Sequence, residues 1–255
     1  MSGNLTTELH EGVLILTLCR PEKKNALTRA MYDGLSAGLE RAREDNLVRA
    51  VLFQSEGDSF TAGNDLADFQ SQSSGNSDGE GAPARFLRNL ATTDKPVVAA
   101  VQGNAVGVGT TMLLHCDMVY LSEDARLITP FVNLALVPEA ASSLLLPARI
   151  GHARAFAMFA LAEPMTAADA LASGLANAVV QRDELRSRAL GAARTLAGKA
   201  AGSLRATKRL MRGDRSILVR MEEEGAIFKE RLQTAEAREA FAAFAERRQP
   251  DFSRF

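Results

Sequence analysis

Through the first half of the chain, apolar residues run in short blocks or alternate with polar ones, and each block is closed by glycine, proline or charge. Leu5–Leu9 and Val13–Leu18 flank the turn signal Glu11-Gly12 and read as a β-hairpin. After a polar break, Met31, Leu35 and Leu39 recur at four-residue spacing, which predicts a helix from about Thr28 to Asp45 with Thr28 as its N-cap. Ala50–Gln54, Val97–Val101 and Met118–Leu121 are short, largely apolar runs that read as buried strands. Thr110–Leu114 continues an apolar stretch after glycines and reads as helical. Strands alternating with helices predict an α/β fold built from repeated units.

Beyond about Gln181 the strand signals stop. Asp183–Ala197, Ser203–Met211 and Ile217–Ala245 read as helices, punctuated by Gly198, Gly202 and Gly213. Ile217, Met221, Ile227, Phe228, Leu232, Phe241 and Phe244 give this helical tail apolar positions that need a partner surface, as a docking or oligomer element would. Between Gln70 and Gly81 the sequence QSQSSGNSDGEG has nothing to bury and reads as a solvated flexible loop, or one bordering a ligand site.

Composition narrows the chemistry. The 255 residues carry 30 basic and 31 acidic side chains, a formal net charge of −1. That balance speaks against nucleic acid or an anionic membrane as a bulk partner. No apolar run approaches the ~20 residues of a membrane span, and the start lacks the pattern of a signal peptide, so a soluble cytoplasmic protein is expected. Two cysteines, Cys19 and Cys116, make no disulfide framework. With three histidines and no cluster at metal-ligand spacing, no metal site is expected, and the chemistry falls to carboxylates and backbone.

Three segments can carry such chemistry. Ser59-Phe60-Thr61-Ala62-Gly63-Asn64-Asp65-Leu66 follows a buried strand, and its small residues would let a ligand approach the backbone, although alone it also reads as a plain strand-to-helix turn. Gly103-Asn104-Ala105-Val106-Gly107-Val108-Gly109 fails as a dinucleotide fingerprint because Met112 stands where the third glycine belongs. It remains a glycine-lined turn with free N–H groups, or a close packing contact. Leu136-Val137-Pro138-Glu139-Ala140-Ala141-Ser142-Ser143 places one carboxylate among apolar and small residues. Desolvation there would raise its pKa toward that of a general base, unless Glu139 merely caps a helix. His115-Cys116-Asp117 contains triad residue types, but adjacent residues do not face one another.

Together these segments resemble the crotonase, or enoyl-CoA hydratase/isomerase, superfamily almost end to end. Arg20-Pro21-Glu22-Lys23-Lys24-Asn25-Ala26-Leu27 is similar to its coenzyme A signature, SFTAGNDL and GNAVGVG to its two oxyanion-hole segments, and TPFVNLALVPEAASS to its acid/base region. Phe244-Ala245-Glu246-Arg247-Arg248-Gln249-Pro250-Asp251-Phe252 resembles its C-terminal ending. The resemblance implies an α/β spiral of repeated ββα units over residues 1–195. It further implies a C-terminal helical region, 196–255, that completes the coenzyme A site and assembles a homotrimer or dimer of trimers. It also implies an acyl-CoA thioester as substrate, with no cofactor because coenzyme A is part of that substrate.

By position, the resemblance assigns the oxyanion hole to the backbone N–H groups of Asn64 and Val108. The family's two hydratase glutamates match Thr111 and Phe131, which cannot serve as bases. Glu139 instead falls where the monofunctional Δ3,Δ2-enoyl-CoA isomerases carry their single glutamate. The implied reaction is the shift of a 3-enoyl-CoA double bond to trans-2-enoyl-CoA, with Glu139 as base and then acid. Lys23, Lys24, Arg247 and Arg248 are implied phosphate contacts, and the carbonyl of Ala62 an adenine contact. Ala26, Asp65, Leu66, Phe131 and Leu134 complete the implied substrate-binding set. A hydratase using Glu139 alone, a thioesterase and a non-catalytic acyl-CoA binder remain alternatives.

Overall fold

The computed structural model describes residues 3–65, 81–212 and 214–255. The hairpin forms as expected: β1 (Leu5–His10) pairs antiparallel with β2 (Val13–Leu18) across Glu11-Gly12. Helix α1 (Arg29–Glu44) starts where the Thr28 hydroxyl accepts the N–H of Met31 at 3.3 Å. It lays Met31, Tyr32, Leu35 and Leu39 into the core. Strands β3 (Ala50–Ser55), β4 (Val97–Val101), β6 (Met118–Ser122) and β9 (Ala178–Val180) extend the sheet in parallel, in the order β1-β2-β3-β4-β6-β9.

Both faces of this sheet are covered, which explains the unbroken apolar runs. Alternation divides β2, β3, β4 and β6 between two cores. Leu14, Leu16, Val51, Phe53 and Ala99 face α1 and α2 (Ala82–Thr92), whereas Val13, Ala50, Leu52, Val98 and Ala100 face α7 (Leu185–Ala197). Helix α7 presents Leu185, Ala189, Ala193 and Ala197 at four-residue spacing, and its alanines allow a close approach to the sheet.

A second layer grows beside the first. Strand β5 (Asn104–Val106) pairs with β7 (Arg126–Ile128), which pairs with β8 (Met165–Thr166). Isolated bridges continue this stack through Thr61 with Ala105 and Leu27 with Asn64. Strands β2, β3, β4 and β6 each hand the chain to a rung of the second stack, as repeated ββα units require. The expected helix at Thr110–Leu114 is instead one turn of α-helix, α3 (Val108–Thr111), tightening into a 3-10 turn at Met112–His115. Helices α4 (Ser142–Ile150), α5 (His152–Ala160) and α6 (Ala167–Ala172) follow.

The tail is helical, with one correction. Ile217–Ala245 is two helices, α9 (Asp214–Leu232) and α10 (Ala235–Ala245), after α8 (Ala201–Arg212). Thr234 is extended and its hydroxyl accepts the N–H of Ala237 at 3.2 Å, so a new N-cap ends one helix and starts the next. Ile217 and Met221 on α9 pack on Ala91, Ala141 and Leu145 of the same chain. No helix among the described residues is long and apolar enough to cross a membrane.

Candidate active site

The bridges of the second stack set the first half of the site. Leu27 donates its N–H to the Gly63 carbonyl at 2.7 Å and accepts the N–H of Asp65 at 2.9 Å. The N–H of Gly63 is taken by the Thr61 hydroxyl at 3.1 Å. In a parallel bridge the residue between two bonded neighbours turns its own N–H away, and that of Asn64 has no acceptor among the described residues. The Tyr32 hydroxyl, from the buried face of α1, donates to Asn64 Oδ1 at 2.5 Å and holds this residue in place.

The second half lies one rung away. Gly107 donates to Ile128 and its carbonyl accepts the N–H groups of Thr110 and Thr111, while the N–H of Val108, at the start of α3, has no acceptor among the described residues. Gly63 makes the two halves meet. Its φ of +85° is left-handed, and a Cβ on it would lie 2.9 Å from the Val106 carbonyl oxygen.

Glu139 enters from a tight turn in which Ala140 and Ala141 take φ of 63° and 54°. Non-glycine residues adopt that conformation at a cost, and such strain concentrates where geometry is functional. The Thr111 hydroxyl donates to Glu139 Oε1 at 2.8 Å. Behind the turn, His115 Nε2 lies 2.7 Å from the Ala140 carbonyl and so donates to it, while burial keeps the imidazole neutral by lowering its pKa to about 4. Burial likewise pushes the Glu139 carboxyl up to about 7, with Glu224 adding to the rise and the Thr111 bond opposing it. The neighbours of His115 form no triad: Cys116 is buried, and Asp117 pairs with Lys208 at 2.7 Å.

These pieces face one cavity of about 530 Å³. It is bordered by Glu139, Asn64 and Val108, and also by Lys23, Ala26, Ala62, Asp65, Phe131 and Leu134. Asp65 pairs with Arg20 at 2.7 Å, whereas Glu139 has no cation within ion-pair distance among the described residues. Three residues named from the sequence do not reach the cavity. Lys24 pairs with Asp58 at 2.5 Å, Arg248 pairs with Glu239 and Glu246, and Arg247 is exposed beyond α10. Leu66 lies outside the described residues, as does the Gln70–Gly81 loop up to Glu80.

Sequence reasoning missed part of the wall. Phe228 of α9 and Phe241 and Phe244 of α10 border the cavity with Pro130 and Leu136. The three phenylalanines stood out as apolar positions in need of a surface, but nothing in their spacing identified that surface as the site. Tyr32 lies within the helix predicted from Met31, Leu35 and Leu39 but was not singled out by it.

The chain is 34% identical over 243 residues to enoyl-CoA delta isomerase 2 of Rattus norvegicus, covering 93% of this chain and spanning 62% of that relative's length. It is 30% identical over 252 residues to 2,3-dehydroadipyl-CoA hydratase of Escherichia coli (strain K12), covering 98% of each. The crystal structure of an enoyl-CoA hydratase/isomerase from Pseudoalteromonas atlantica T6c superposes with a TM-score of 0.93 at 45% identity, covering 98% of this chain and 100% of that one. Residues 8–254 match the enoyl-CoA hydratase/isomerase family, and the chain therefore belongs to that family, the crotonase superfamily.

Proposed function

We propose that the protein isomerises 3-enoyl-CoA thioesters to trans-2-enoyl-CoA, with Glu139 as its single acid/base. One observation carries this reading. Glu139, raised to about 7 and without a cationic partner among the described residues, borders the same cavity as the unengaged N–H groups of Asn64 and Val108. The thioester oxygen would sit between those two donors, which acidifies the C2 protons. Glu139 removes one, the electron pair spreads into a dienolate with charge on oxygen, and the same carboxyl returns the proton to C4 as the double bond moves. Each preorganised donor of this kind is worth about 3–4 kcal/mol in the transition state, and a base near neutrality transfers protons in both directions.

Coenzyme A is substrate in this reading, not cofactor, with Lys23 a cation at the border of the cavity. Lys24 and Arg248 would contribute if phosphate binding breaks their present pairings, and the exposed Arg247 if a second subunit brings it to the site. The exposed Leu210 and Met211 of α8 suit the proposed homotrimer contact.

The second reading is hydration of a 2-enoyl-CoA, favoured by the similarity to the Escherichia coli hydratase. An absorbance assay separates the two. A gain of conjugated-thioester absorbance from 3-enoyl-CoA is expected, whereas loss of it from 2-enoyl-CoA without that gain supports hydration. Release of free thiol would overturn both in favour of hydrolysis. Binding without turnover would leave only an acyl-CoA binder.

A further inference from the structure

Helix α4 begins directly after the turn that carries Glu139, and its start lacks a capping side chain of its own. The cap position is Ala141, in the left-handed region. The Ser142 N–H returns to the Glu139 carbonyl at 3.0 Å, and those of Leu144 and Leu145 to the Ala141 carbonyl. The Ser143 N–H is satisfied from elsewhere: Glu224, one turn past Met221 on α9, accepts it through Oε1 at 2.9 Å. Glu224 is 5% exposed, and its Oε2 is buried with no partner among the described residues.

We propose that Glu224 is a positioning residue for Glu139: it clamps the turn that carries the base, and its negative charge bears on the Glu139 carboxyl. The proposal rests on the reading of Glu139 as the acid/base. A buried carboxylate that only capped a helix could be replaced by any neutral acceptor. This one leaves a carboxylate oxygen without a partner among the described residues, which costs stability, and its charge adds to the rise of the Glu139 carboxyl. Like charges in a poorly hydrated setting favour protonation, and both Glu224 and Glu139 lie above the ordinary carboxylate range, chiefly through burial.

Other groups around the pair do not reverse this effect. Hydrogen bonding from Ser143 favours the charged form of Glu224, as more weakly does Arg220, one turn back on α9, which pairs with Glu223 at 3.3 Å. Helix α4 offers Ser142 and Ser143, and α2 meets α9 through Ala91. Thr111 meets Glu139 as a hydroxyl, the Tyr32 hydroxyl is bonded to Asn64, and His115 lies behind the turn as a neutral ring.

The test follows the Glu139 carboxyl by carbon NMR in full-length protein labelled at glutamate, with the resonance assigned by its loss in Glu139→Gln. Glu224→Gln keeps an acceptor for Ser143 and removes the charge. In that variant Glu139 is expected to titrate at least about half a pH unit lower than in the wild type. An unmoved or raised titration overturns the proposal, because capping alone would leave it unmoved. If Glu224→Gln does not fold, the wild-type resonance decides: a second inflection from Glu224 supports the proposal, and a single inflection overturns it. The readout needs no turnover, so failure of the isomerase assay and failure of this proposal are separate results.

Discussion

The Thr111 hydroxyl and the Glu139 carboxylate are joined by a 2.8 Å hydrogen bond in which the threonine donates. A donated bond favours the charged carboxylate, against the burial that disfavours it. Thr111 thus keeps the base usable near neutral pH. Thr111→Val, which preserves shape, is expected to move the acid limb of kcat/KM upward by about one pH unit, since hydrogen bonds to charged groups are worth ~1.5–3 kcal/mol. Thr111→Ser should restore the wild-type profile.

Isomerisation should follow the ionisation of Glu139. In the free enzyme kcat/KM should rise with pH through about 7 and level off above it, because only the carboxylate can take the C2 proton. A profile flat from about pH 5 to 8 would contradict this assignment.

The same group should make the protein less stable as pH rises. Its folded pKa of about 7 lies above the ordinary 4.5, so the folded chain binds the extra proton between those values. The resulting stability is complete below the unfolded pKa and is lost as pH rises through the folded one. Glu139→Gln removes the titration and should be the more stable protein at about pH 8.5, by ~1–3 kcal/mol, with the gap closing toward pH 4. Urea unfolding at the two pH values measures it.

Gly63→Ala tests the contact between the two backbone segments. The new methyl would have to fit at φ +85° and 2.9 Å from the Val106 carbonyl oxygen, so the Asn64 N–H must shift. A loss of kcat of about 10²-fold is expected, as for removal of one oxyanion donor, with acyl-CoA binding changed far less. Equal loss in kcat and binding would point to general disruption instead.

The aromatic wall should govern acyl length. Phe228→Ala or Phe241→Ala enlarges the cavity from its α9 and α10 side. The ratio of kcat/KM for long over short 3-enoyl-CoA chains should then rise by about tenfold, the usual worth of one or two methylenes in an apolar pocket. An unchanged ratio would place the chain elsewhere.

How much of this was legible in the sequence differs by residue. Glu139 stood out because a lone carboxylate among alanine, leucine and proline implies desolvation, and desolvation is a local property. The rung-to-rung contact of Gly63 with Val106 left a trace as glycine at both segments. Glu224 left none: within Met221-Glu222-Glu223-Glu224-Gly225 it is one of three glutamates, and only the packing of α9 on α4 buries it. The ion pairs of Lys24 and Arg248 were hidden for a related reason. A cation in sequence shows no partner, and the Lys24 partner, Asp58, lies 34 residues away. The phenylalanines of α9 and α10 were visible as an apolar demand, but helical periodicity states that a face is buried, not against what.

The most direct measurement follows a deuterium label through one turnover. A 3-enoyl-CoA deuterated at C2 is incubated with the wild type in ordinary water, and the 2-enoyl product is examined at C4. If Glu139 takes the proton and returns it, a measurable share of the label reaches C4 and Glu139→Gln yields no conjugated product. Conjugated product formed by Glu139→Gln at the wild-type rate would contradict the assignment of Glu139.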